Sequence, residues 1–118
     1  MKMFTDGATA VTMNIHFNGG VIGGIGGNAF NIMNVKNFSI KGVHMGSIAG
    51  ASAIAVDFCK QFDIQGNVLE SAEAGCNYMT VVGSVNCDNY TIIGNQGVKA
   101  NQDLGSTHKV VANNLLYT

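Results

Sequence analysis

One seven-residue pattern recurs along the chain, and it limits the possible folds more than any other feature. It runs small polar residue, aromatic, polar residue, Ile or Val, any residue, then Gly, often followed by Asn. It reads Asn37-Phe38-Ser39-Ile40-Lys41-Gly42-Val43, then Gln61-Phe62-Asp63-Ile64-Gln65-Gly66-Asn67, then Asn89-Tyr90-Thr91-Ile92-Ile93-Gly94-Asn95. A weaker copy is Thr107-His108-Lys109-Val110-Val111-Ala112-Asn113. The aromatic-equivalent positions 38, 62, 90 and 108 are separated by 24, 28 and 18 residues, an irregular period centred on solenoid repeats. A short apolar run precedes each strong copy: Asn31 to Val35, Ile54 to Cys59, and Met79 to Val85. An earlier, degenerate coil runs from Val11 through Ile15 and Phe17 to Val21-Ile22, with glycine-heavy corners.

The apolar period is two, as in Ile54-x-Val56-x-Phe58 and Phe62-x-Ile64, which indicates strands. Gly, Asn and β-branched residues interrupt nearly every window in which a helix could form. A single coil of such strands cannot bury its inward residues. Stacked coils can, because each strand pairs with the copies above and below at about 4.8 Å. The expected fold is therefore all-β: a right-handed parallel β-helix of about four to five short coils, one domain over residues 1–118. In that register Phe38, Phe62 and Tyr90 stack, as do Ile40, Ile64, Ile92 and Val110. Asn67, Asn95 and Asn113 would form a ladder beside the corner glycines Gly42, Gly66 and Gly94, and Cys59 would lie over Cys87. An antiparallel sandwich is the competing fold, but Gly66-Asn67 and Gly94-Asn95 reverse the Asn-Gly order that hairpins favour.

Charged residues are 11% of the chain, against about 25% in ordinary soluble domains, so neutral polar groups must cover the exterior. The net charge is −1 and all six basic residues are lysines. There is no basic footprint for nucleic acid, and no apolar run long enough to insert in a membrane. Met1-Lys2-Met3-Phe4 runs straight into Thr5-Asp6-Gly7, too short for a signal-peptide core. Cys59, Cys76 and Cys87 lack metal or redox spacing and read as buried thiols of a protein assembled in a cytoplasm. His16, His44 and His108 share no column. No metal or cofactor is expected, and the glycines at 23, 24, 26 and 27 lack the Lys-Ser/Thr of a phosphate loop.

The three strong copies, each behind a short strand, resemble the pectate-lyase-like right-handed β-helix superfamily, most closely the β-helical parts of bacteriophage tailspike and tail appendage proteins. The resemblance covers about residues 11–116. It implies a rigid shaft, a homotrimer, located in the virion tail after synthesis in the host cytoplasm and meeting a bacterial surface polysaccharide. Enzymes of that family are several times longer, so the chain also suits a piece of a longer tailspike-like protein. A bacterial β-helical adhesin repeat is a third reading.

A polysaccharide-cleaving member would need two carboxylates roughly 5 to 10 Å apart. Asp57, Asp63 and Glu70 are the candidates for that alternative; the main reading assigns no catalytic residue. For glycan or partner contacts the candidates are Tyr78, Glu73, Asn101, Gln102 and Asp103. They lie on or near two segments, Ser71 to Gly75 and Ala100 to Gly105, expected to be loops that lengthen their coils. Tyr117 is a further exposed ring, whereas the repeat puts Tyr90 in the core.

Overall fold

The computed structural model describes residues 1–4 and 11–117, without the side chains at 3, 4, 11 and 12; Thr5, Asp6 and Gly7 lie outside it. The described residues form no helix and fifteen strands: β1 Lys2–Phe4, β2 Val11–Asn18, β3 Val21–Ile25, β4 Phe30–Met33, β5 Val35–Lys41, β6 His44–Ile48, β7 Ser52–Asp57, β8 Lys60–Gln65, β9 Val68–Leu69, β10 Tyr78–Val82, β11 Asp88–Ile93, β12 Gln96–Gly97, β13 Asn101–Asp103, β14 Lys109–Ala112 and β15 Leu115–Leu116. Every third strand pairs, all in parallel. Sheet A is β1-β4-β7-β10-β13, sheet B is β2-β5-β8-β11-β14, and sheet C is β3-β6-β9-β12-β15. The chain is a parallel β-solenoid of about four turns.

Each rung has three strands, one more than the repeat alone discloses. Sheet C escapes sequence detection because its strands are short or glycine-rich: Val21–Ile25 reads VIGGI and Gln96–Gly97 has two residues. Pairing to the rungs on either side holds them extended, not intrinsic propensity.

The expected columns form in sheet B. Phe38 stacks on Phe62 with ring centroids 4.9 Å apart, and Phe62 on Tyr90 at 4.6 Å, with ring planes within 8° and 3° of parallel. Ile40, Ile64 and Ile92 pair in register and are fully buried. Val35, Cys59 and Cys87 occupy the next inward column, one residue before the paired Lys36, Lys60 and Asp88. The core continues into sheet A through Phe30, Ile54 and Val82 and into sheet C through Met45 and Leu69.

The corner from sheet B to sheet C is where the backbone would otherwise go unsatisfied. Gly19, Gly42, Gly66 and Gly94 all adopt left-handed φ there, between 63° and 76°. Behind Gly66 and Gly94 an asparagine amide bridges to the preceding rung. Asn67 Oδ1 accepts the Val43 N–H at 2.9 Å, 24 residues back, and its Nδ2 donates to the Ile40 carbonyl. Asn95 Oδ1 accepts both the N–H and Nδ2 of Asn67, 28 residues back, and its Nδ2 donates to Ile64 O. Asn114 repeats this on Asn95 across 19 residues and reaches Ile92 O.

The last rung therefore sits one residue later than the repeat suggests. Tyr90 pairs with Lys109 and Ile92 with Val111, so the ladder residue is Asn114 and not Asn113. Asn113 takes the place of the corner glycine with φ 57°, which Asn tolerates better than other non-glycine residues. Two adjacent asparagines and two adjacent valines leave both alignments equally plausible by residue type.

Asn101 to Asp103 was expected in a loop but is β13, paired with Thr80 to Val82. Its composition, Asn-Gln-Asp, carries no strand propensity; the β10 edge templates it. Asn101 and Asp103 sit under Thr80 and Val82, and Lys109 under Tyr90. Polar groups thus close the last rung: Tyr90 donates to Asp103 at 2.5 Å, and Lys109 Nζ lies 2.9 Å from the other carboxylate oxygen. A Cβ at Gly105 would overlap the Tyr90 ring, so the chain can pass there only as glycine.

Replacing Asn67 with Ala strips the acceptor from Val43 N–H and the donor from Ile40 O in a dry interior. We expect a loss of about 3 kcal/mol in urea unfolding, against less than about 0.5 for Asn86→Ala in an exposed loop.

Candidate functional site

The outer face of sheet A carries a groove of about 560 Å³. Its floor is apolar, from Met33, Ala55 and Val81, and its polar groups are Lys2, Asn31 and Asp57. Strand alternation places them there: Asn31, Ala55, Val81 and Gln102 pair successively across the rungs, as do Met33 and Asp57. Gly83 lies against the Asp57 carboxylate, where a Cβ would come within 3.4 Å. Asp57 Oδ1 accepts the Phe58 N–H at 2.9 Å, and the rest of the carboxylate faces the groove rim.

Phe58 was expected to continue the inward alternation of Ile54 and Val56. Instead Cys59 points inward, and Phe58 sits at the corner between sheets A and B with φ 51° and 39% exposure. Asn34 holds the equivalent corner one rung earlier, with φ 57°. A bulky side chain in left-handed backbone costs roughly 1 to 2 kcal/mol, and this one is not repaid by full burial.

The three carboxylates of the hydrolytic alternative lie on different faces. Asp57 borders the sheet A groove. Asp63 is on the outer face of sheet B, where it accepts the Thr91 hydroxyl at 2.5 Å and lies 3.9 Å from Lys41 Nζ. Glu70 follows β9 on the sheet C side. The structure brings no two of them into one groove.

Of the candidate contact residues, Tyr78 and Gln102 share the outer side of sheet A, with Gln102 Nε2 donating to the Tyr78 hydroxyl at 3.5 Å. Glu73 is exposed in the loop between β9 and β10, whose backbone ties to Ile48 and Cys76. Asp103 is committed to Tyr90, Lys109 and the Gly105 N–H. The side-chain oxygens of Asn101 and its register partner Thr80 are buried without a hydrogen-bond partner.

A second polar cluster closes the other side of the last rung. Asp88 accepts the Ser106 hydroxyl and lies 3.1 Å from His108 Nδ1. The serine hydroxyl and the histidine ring both bond the Asp88 carboxylate, and the His108 backbone N–H donates to Ser106 Oγ at 3.3 Å, so the imidazole does not take the serine proton and the cluster braces the rung instead of forming a Ser-His relay. Residue spacing in the sequence gives no hint of it, because the residues meet only through the rung offset.

Burial sets the chemistry of the remaining groups. It pushes the Cys59 thiol up to about 12 and raises Cys76 and Cys87 as well, which keeps all three protonated and unreactive. Burial and the Asp103 carboxylate both hold the Tyr90 hydroxyl above its usual range. Burial raises Asp103, but hydrogen bonds from Tyr90, Lys109 and Gly105 outweigh it and leave the carboxyl below its usual value. The Ser106 hydrogen bond does the same for Asp88. No cluster of three or more His, Cys, Asp or Glu side chains able to hold a metal occurs among the described residues.

Comparison with known proteins returned no matching family model, no matching curated protein and no matching solved structure.

Two outcomes follow. A thiol reagent such as dithionitrobenzoate should label none of the cysteines in the native protein and three in guanidinium, at neutral pH. Carboxyls depressed in the fold stabilise it above their unfolded value of about 4 and stop doing so as pH falls through the lower folded value. Urea midpoints should therefore hold from pH 7 to 5 and drop below pH 4. Asp103→Asn should start lower at pH 7 and lose less of its midpoint over the same acid range.

Proposed function

We propose that this β-solenoid is a rigid glycan-binding module of the tailspike or tail-appendage kind, working as a homotrimer at the virion tail and meeting a bacterial surface polysaccharide. The observation that carries the reading is the groove along sheet A: an extended trough with an apolar floor and a few polar groups at its rim. A sugar chain presents such a surface with alternating apolar ring faces and hydroxyls. The repeat's resemblance to tailspike coils and the low-charge exterior support it. The parallel stack also supplies a frame whose backbone is satisfied from rung to rung, suited to holding side chains at fixed spacing along an extended polymer.

The hydrolytic alternative draws little support from the geometry, because Asp57 is the one carboxylate lining the groove among the described residues. A lone carboxylate beside Lys2 and Asn31 can orient a hydroxyl but lacks the partner that two-carboxylate hydrolysis needs.

An array of bacterial surface polysaccharides, read together with a reducing-end assay, tests the proposal. We expect binding without new reducing ends, and a roughly tenfold loss of affinity in Asp57→Ala and in Tyr78→Ala. A blank array overturns the binding role. Reducing ends that vanish in Asp57→Asn would establish the enzyme instead. Light scattering checks the assembly: a mass near three times 12.3 kDa is expected, and a monomer removes the trimer from the reading.

A further inference from the structure

We infer that the ridge where sheet A turns into sheet B, formed by Phe58 with Lys60 and Lys36, is a subsite for an anionic sugar unit. The inference rests on the glycan-binding reading and specifies the class of glycan.

Two unfavourable features coincide on this ridge. The first is Phe58 itself: a large aromatic in left-handed backbone, 39% exposed, where the preceding rung uses asparagine. The second is a stack of like charges. Lys36 and Lys60 are direct partners in the β5–β8 register, so two ammonium groups rise from backbone positions one rung apart. Like charges directly opposite in neighbouring strands repel. Neither lysine has a carboxylate within ion-pair distance among the described residues; the ion pairs there involve Lys41, His108 and Lys109. The one carboxylate in their column, Asp88, pairs with Lys60 through the backbone register but turns its oxygens to Ser106 and His108.

The two features are neighbours. Phe58 and Lys60 stand on either side of the buried Cys59 at the corner where β7 gives way to β8, and both are exposed. An aromatic face next to two unpaired ammonium groups matches a pyranose ring carrying a carboxylate or sulfate. The ring's C–H face covers Phe58 and the oxyanion sits between the lysines. Asp57, one residue away, joins this ridge to the sheet A groove, so a chain lying in the groove reaches the ridge with its next unit. A nucleic acid would also offer rings and anions, but the chain's net charge of −1 gives it no electrostatic attraction beyond these lysines.

The test uses a β-1,4-linked mannuronate hexamer and neutral β-1,4-mannohexaose, which share ring stereochemistry and differ in the carboxylate. Titration by calorimetry should show the acidic hexamer binding at least tenfold tighter, with an affinity that falls as salt rises. Lys36→Gln/Lys60→Gln should abolish that preference. Phe58→Asn should weaken the acidic hexamer by about tenfold while raising the thermal midpoint, because it gives the corner the residue its backbone favours. A merely structural Phe58 would move stability the other way, and a fall in midpoint overturns the assignment. Equal binding of the two hexamers, no binding of either, or tighter binding of oligothymidylate also overturns it. The groove reading then stands or falls separately, on whether array binding responds to Asp57→Ala.

Discussion

Hydrogen bonding between rungs is the constraint from which the rest of this molecule follows. Strands pair only with strands of neighbouring rungs, the inner ones on both sides and the end ones on one, so no coil is satisfied alone. The corner after sheet B is the weak point, because there the chain reverses and the ladder of strand bonds lapses. Asparagine amides carry the ladder across it, each one covering an N–H and a carbonyl of the rung it reaches back to. Glycine or Asn113 beside it supplies the left-handed backbone that the reversal needs.

Much of this could be read directly from the sequence. Phe38, Phe62 and Tyr90 announce themselves because a column keeps one residue type along the stack, and like residues at one spacing point to parallel in-register stacking. Cys59 over Cys87 followed from the same offset. The fold class came from these repeats more than from local propensity. What failed to show was whatever lacked an intrinsic signal. Sheet C is built of short or glycine-rich strands, β13 is entirely polar, and both exist because a neighbouring edge orders them. The off-by-one reading of the last rung has a similar origin: Val110-Val111 and Asn113-Asn114 are degenerate pairs, and only hydrogen bonding from Asn95 picks the member that counts.

Site residues were less legible than core residues for a physical reason. Core columns repeat, whereas a surface site is defined by departures from the repeat. Phe58 looked like one more inward residue of an alternating strand; its left-handed φ, invisible in composition, turns it out. Asp57, Tyr78 and Gln102 could be singled out by type, but the rung offsets decided that they share a face and that Asp63 and Glu70 do not. The Asp103 carboxylate, attractive as an exposed acid in sequence, is bound up in closing the end of the aromatic stack.

The unequal rung offsets have a consequence of their own. Successive ladder asparagines are reached after 24, 28 and 19 residues, yet the sheet B strands from β5 to β14 stay paired without a break in register. The additions fall in the segments between β9 and β10 and between β10 and β11, and the deletions around β13, all outside the stacked positions. Insertion and deletion are thereby decoupled from core packing. A lineage carrying this scaffold could rewrite its outer relief one loop at a time, acquiring new surfaces without passing through unstable intermediates, so that evolvability is a property of the spacing and not of any one residue.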